Sequence, residues 1–157
     1  MKITILCVSI CVASGVLFVN VYTSLVDSRA WGSDVPNSIA AAREYFKAVT
    51  PANFFRVFSP LNQVLAAIAL IAFWKVSPSV RLYCGIALAM YVLGDAMTFA
   101  YFYPRNDIMF KTASLHDSAL LTKTWSEWVA MNWVRTAVVA IGVVFSFLAL
   151  HKSYELR

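Results

Sequence analysis

The sequence has 157 residues, 61% of them hydrophobic and 13% charged, with a formal net charge of +5 at pH 7 and a mean hydropathy of +0.69. Such an apolar excess excludes an ordinary water-soluble domain, and the 13 Lys and Arg residues are scattered among loops without forming a stripe, which excludes nucleic acid as a partner. The expected fold is all-α: a single integral membrane domain over residues 1–157, folded as a bundle of four transmembrane helices, with the lipid bilayer as its first partner.

Four stretches reach the roughly 20 residues of helix that a bilayer core requires: 3–26, 54–74, 82–103 and 129–150. The first follows Met1 and Lys2 in the manner of a signal peptide. It is too long for such a segment, and Asn20 and Tyr22 stand where a cleavage site needs small residues, so it reads as a retained helix. After it comes "SDVPNSIAAAREYFKAV", where Asp34, Asn37 or Ser38 is placed to cap a short helix and Pro36 suits its first turn. Ile39, Ala42, Phe46 and Val49 then share one face, predicting an interfacial helix or lid in the first extracytoplasmic loop. Pro51 closes that loop, and Pro60 loosens the first two turns of the second span.

The third span ends near "YFYPRND", and a second long loop runs from Pro104 to "WSEW". Trp31, Trp125, Trp128 and Trp133 mark the outer boundary and Trp74 the inner one. Lys2, Lys75, Arg81, Lys152 and Arg157 crowd into the short N-terminus, second loop and C-terminus, whereas six basic residues are diluted through 27–53 and 104–128. By the positive-inside rule both termini are cytoplasmic, as in a bacterial inner-membrane protein. Cys7, Cys11 and Cys84 then fall on the reducing side, which argues for packing and against disulfides.

Counting about 1.5 Å per residue from the outer end of each span puts Arg135 and Asn20 roughly 10 Å deep and Asn62 and Asp95 roughly 12 Å deep. The faces agree. Trp125, Trp128, Asn132, Arg135, Val139, Gly142 and Ser146 share an arc of the fourth helix, and Tyr91, Asp95, Thr98 and Phe102 one of the third. Ser9, Ala13, Asn20, Ser24 and Asp27 do so on the first helix, and Ser59, Asn62 and Gln63 on the second. With aliphatic inner halves, these spans predict a cup open to the outside, with no channel through it. A charge in hydrocarbon costs about 3 kcal/mol on insertion scales. Asp95 and Arg135 facing each other would offset much of that, with the amides of Asn20, Asn62, Gln63 and Asn132 around them. The alternative is that Arg135 snorkels to headgroups while Asp95 stays protonated.

The residue inventory offers little for a metal. His116 with Asp107, Asp117 or Glu127 is the one candidate cation site, and a solvated loop histidine is the plainer reading. There is no CxxC pair, phosphate-binding glycine loop, buried haem ligand or Ser–His–acid set. A buried acid, a fixed cation, amides and aromatic walls suit a flat lipophilic molecule with a carbonyl or phenol.

The order "YFKAVTPANFFRVFSPLN", "TFAYFYPRND" and "WSEWVAMNWVRT" is similar to the anthrone-oxygenase-like family of small four-helix membrane proteins, over roughly residues 15 to 150. The best-matching element is carried by Trp125, Trp128, Asn132, Arg135 and Thr136, and a family turn by Tyr103, Pro104, Arg105 and Asn106. The segment "YTSLVDSRAWGSD" departs from the proline-and-glycine turn of that family. The resemblance implies oxidation of an aromatic or quinone-like molecule by dioxygen, without cofactor or metal. Asp95 would be the base, and Arg135 and Asn132 the oxyanion-stabilising groups. Asn20, Asn62, Gln63, Thr98, Phe102, Trp125 and Trp128 would contact the substrate. Two readings compete: a non-catalytic subunit or lipid-binding protein, alone or with a partner chain, whose Asp95–Arg135 layer only locks the helices, and a proton-coupled carrier, disfavoured by the apolar inner half.

Overall fold

The computed structural model describes residues 1–111 and 117–156; these are helical almost throughout and contain no strand. Helix α1 (Lys2–Tyr22) continues through a π-helical turn, Thr23–Asp27, into the single turn α2 (Ser28–Trp31). Helix α3 is Asn37–Tyr45, and α4 is Pro51–Phe73. Helix α5 (Pro78–Met97) likewise passes through a π-helical turn, Thr98–Phe102, into α6 (Tyr103–Phe110), and α7 runs from Ser118 to Glu155. Four helical rods, Lys2–Trp31, Pro51–Phe73, Pro78–Phe110 and Ser118–Glu155, are long and apolar enough to cross a membrane.

Three rods outrun their expected spans at the end that carries α2, α3 and α6, the capped end. Hydropathy reports where lipid is tolerated, whereas a helix persists wherever its backbone bonds are met. At about 1.5 Å per residue the 38 residues of α7 extend some 57 Å, well beyond a bilayer core of about 30 Å. The expected loop 104–128 is accordingly mostly helix, with Pro104 in the first turn of α6 and the Asp117 carboxylate capping α7 by accepting from Leu120 N at 2.8 Å. Between the first two rods a helix runs over Asn37–Tyr45, with Ile39 wholly buried and Ala42 and Phe46 packed beside it. Val49 lies past its end, exposed. The expected capping side chains bond elsewhere: Asn37 Nδ2 donates to Asp34 at 3.0 Å and Ser38 Oγ to the Trp31 carbonyl at 2.5 Å.

The long helices pack in ring order α1, α4, α5, α7, with α7 closing back on α1. Small residues permit this closeness: Ala13, Ala66, Ala69, Ala87 and Ala149 are all buried at the contacts. Gly142 faces Tyr91 so tightly that a Cβ there would lie 2.5 Å from the ring, and the Tyr91 hydroxyl pairs with Ser146 Oγ at 2.9 Å. Leu6, Ile10, Phe73, Val80 and Cys84 fill the uncapped end. Trp31, Ile39, Phe102, Met109, Leu121 and Trp128 fill the capped end, and the polar layer lies between them and the middle of the ring.

Candidate functional site

Arg135 is 7% exposed and held from several sides. One terminal nitrogen donates to Asn132 Oδ1 at 2.5 Å, one turn earlier on α7, and the other to Thr98 Oγ1 at 3.1 Å. The guanidinium lies 4.0 Å over the Phe102 ring and 5.6 Å from Phe55, where a desolvated cation meets the negative face of the ring. Asn132, fully buried, spends its amide nitrogen on α1, donating to Ser24 Oγ at 2.6 Å and the Asn20 carbonyl at 3.3 Å. One amide thus links the cation to a neighbouring helix.

Thr98 and Ser24 both belong to π-helical turns. Each turn opens with a threonine whose hydroxyl donates to the carbonyl four residues back, Thr23 to Val19 at 2.9 Å and Thr98 to Gly94 at 3.1 Å. Such back-bonding loosens the local helix, and the wider turn changes the angular phase of the residues beyond it, a feature frequent at functional sites. The two turns flank Arg135 and Asn132 from opposite neighbours in the ring.

Asp95 is half-buried on α5 and accepts from Gln63 Nε2 of α4 at 2.6 Å. Among the described residues no ion pair within 4.0 Å joins it to Arg135. The expected clasp of the two charges is therefore not made: each is held by neutral partners of its own. Both nevertheless line one cavity of about 20 Å³, with Asn20, Asn62, Thr98, Phe55, Ser59 and Tyr91.

Of the expected site residues, Asp95, Arg135, Asn20, Asn62 and Thr98 border this cavity. Gln63 holds Asp95 from behind, and Asn132 and Phe102 hold Arg135. Trp125 and Trp128 do not reach it. Trp125 lies against Gly32 and donates to the Ser28 carbonyl at 2.6 Å. Trp128 donates to Asn106 Oδ1 at 2.8 Å and meets Trp31 and Phe102 edge-on. They belong to the aromatic cluster that fills the capped end.

Ser59 and Tyr91 stand on the polar stripes with nothing in the sequence to set them apart, and Phe55 carries no polar signal. Two further ties at the capped end are equally silent in the sequence: Arg105 bridges to Glu127 at 2.8 Å with its guanidinium 3.4 Å over Tyr101, and Arg43 donates to the Met109 carbonyl at 2.7 Å. The candidate cation site at His116 lies outside the described residues. Compared with protein-family models, curated proteins and solved structures, the chain matches none.

Proposed function

We propose that this is an integral membrane protein of the bacterial inner membrane, its four rods spanning the bilayer as one bundle with both termini cytoplasmic. On this reading α3 and α6 lie at the outer interface and cover a site that takes a lipophilic aromatic molecule with an acidic C–H or phenolic O–H. Four rods of spanning length and the basic residues at the uncapped end support the placement.

The observation that carries the site is that Asp95 and Arg135 share a cavity without contacting each other. In a low-dielectric interior a pair serving only to fix the helices gains most by closing to contact. Here Gln63 orients the carboxylate, and Asn132, Thr98 and Phe102 orient the guanidinium. A base and an oxyanion-stabilising cation borne on different helices is what proton abstraction from a phenol or an anthrone-like CH₂ requires. Following the resemblance in sequence, Asp95 takes a proton from the CH₂ carbon, the carbanion reduces dioxygen and combines with it, and loss of water from the hydroperoxide leaves a carbonyl. The carbon loses two hydrogens and gains one oxygen atom, and the second oxygen atom leaves as water.

A cavity of about 20 Å³ admits a water and no ring system. A substrate therefore requires the outer turns of α4, with Phe55 and Ser59, to swing away. Pro60 lies in those turns and removes a backbone hydrogen bond that would stiffen them. The same small volume favours a second reading, a non-catalytic polar layer. Purified protein in nanodiscs with a hydroxylated anthrone separates the two through oxygen uptake and quinone absorbance. Catalysis predicts turnover above the protein-free rate, reduced about 100-fold or more by Asp95→Asn and by Arg135→Gln. Wild-type turnover equal to the blank, or full turnover by Asp95→Asn, removes the catalytic reading.

A further inference from the structure

The short connection between α4 and α5 carries an open cleft of about 330 Å³, lined by Trp74, Lys75, Val76, Ser77, Pro78 and Arg81. Two cations share it. The Arg81 guanidinium lies 5.1 Å from the Trp74 ring and gives one N–H to the Trp74 carbonyl in a long bond of 3.5 Å. Its remaining N–H donors, and the exposed Lys75 ammonium, have no acceptor among the described residues. No acid forms an ion pair with either residue there. The sequence holds no Asp or Glu between Glu44 and Asp95, and Glu155, near the C-terminus, already pairs with Lys152 and His151. Two cations without a counter-charge call for an anion, and their neighbours specify its setting. Trp74 is 52% exposed and Val76 42%, so apolar surface adjoins the charge where two rods of spanning length end. At such ends amphipathic Trp rings and basic side chains meet lipid headgroups. A soluble anion would cover the cations and leave Trp74 and Val76 in water, whereas a phospholipid covers both.

We infer that this cleft binds the phosphodiester of an anionic phospholipid, with Arg81 and Lys75 on the phosphate oxygens and the acyl chains against Trp74 and Val76. The planar guanidinium suits paired phosphate oxygens, and the ammonium adds a point charge. A zwitterionic headgroup brings a cation of its own toward these two and is disfavoured. The site rests on the reading of the rods as spans. It depends neither on the reaction proposed for Asp95 nor on which side of the membrane the termini face.

The test follows quenching of Trp74 fluorescence in the full-length protein, in mixed micelles titrated with phosphatidylglycerol brominated on its acyl chains. The signal of Trp74→Phe is subtracted, and phosphatidylcholine brominated in the same way is the reference. Each cation near a headgroup contributes about fivefold in affinity, so Lys75→Gln/Arg81→Gln should weaken phosphatidylglycerol binding about 30-fold. Lys123→Gln, which removes an exposed cation from the first turns of α7, should bind as the wild type does. Inorganic phosphate should displace no lipid beyond what sodium chloride of equal ionic strength displaces; specific displacement assigns the cleft to the free anion and overturns the lipid. Wild-type affinity in the double variant, or an equal loss in Lys123→Gln, also overturns the site. Should the double variant fail to fold, Lys75→Gln alone should cost about fivefold, and no change refutes the proposal. Protein that does not enter phosphatidylcholine nanodiscs overturns the membrane reading and the site with it. Protein that enters them, yet is quenched equally by both lipids in micelles, overturns the site alone.

Discussion

Replacing Asn132 by Leu keeps the side chain's bulk and removes its polarity at a position with no exposed surface. Three hydrogen bonds disappear: the 2.5 Å bond from Arg135 and the bonds to Ser24 Oγ and the Asn20 carbonyl. The first is charge-assisted and contributes about 1.5–3 kcal/mol. The other two join helices, where bonds of this kind average about 0.6 kcal/mol each. The expected loss is about 3–4 kcal/mol, dominated by a guanidinium deprived of a partner. Reversible unfolding of the purified protein in mixed micelles, followed by tryptophan fluorescence, measures it against Val134→Leu on the exposed face of the same helix, which should change stability by less than about 0.5 kcal/mol. A cycle with Ser24→Ala adds a second readout, because Ser24 loses its partner at 2.6 Å once Asn132 is gone and its own substitution then costs less. A loss below about 1 kcal/mol, or strict additivity with Ser24→Ala, refutes the view that Asn132 holds Arg135 to α1.

Two comparisons probe the packing and the cap. Gly142→Ala would place a methyl 2.5 Å from the Tyr91 ring and 3.2 Å from Met90 Cβ, forcing α5 and α7 apart at a cost of about 1–3 kcal/mol; Gly15→Ala meets nothing within 4 Å and should leave the unfolding midpoint unchanged or raise it. Trp125→Phe removes the 2.6 Å bond to the Ser28 carbonyl and keeps most of the ring that packs on Gly32, so a loss of about 1 kcal/mol is expected, with faster hydrogen exchange confined to α2 and the start of α7.

Four rods were legible because hydrocarbon imposes a length and a composition on any helix that crosses it. The convergence of Asn20, Asn62, Asp95 and Arg135 on one cavity was legible too, since helical rise is constant and these residues stand out against aliphatic neighbours. Depth does not fix azimuth or rotamer, however. Asp95 and Arg135 come from α5 and α7 and border one cavity, yet a residue of α4, Gln63, reaches the carboxylate instead. The two π-helical turns were hidden because they widen the helix without changing its hydrophobic period, and their threonines resemble any other polar residue of a span. Helix α6 and the first turns of α7 read as loop because their polar residues, Arg105 and Glu127 among them, serve contacts within the cap.

A buried ion pair in contact binds two protonation states together: neutralising one member strands the other, at a cost of about 3–5 kcal/mol. Such a pair resists the change of charge that an acid or base must undergo. Here the support of Arg135 comes from Asn132, Thr98 and the Phe102 ring, none of which changes when Asp95 gains a proton. Asp95 leans on Gln63, whose amide remains in place in either state. The two charges therefore influence each other across the cavity without depending on each other for position. Hydrogen bonds and an aromatic face replace much of the water that this buried cation lost. A change of charge on Asp95 therefore displaces none of the groups that hold the guanidinium.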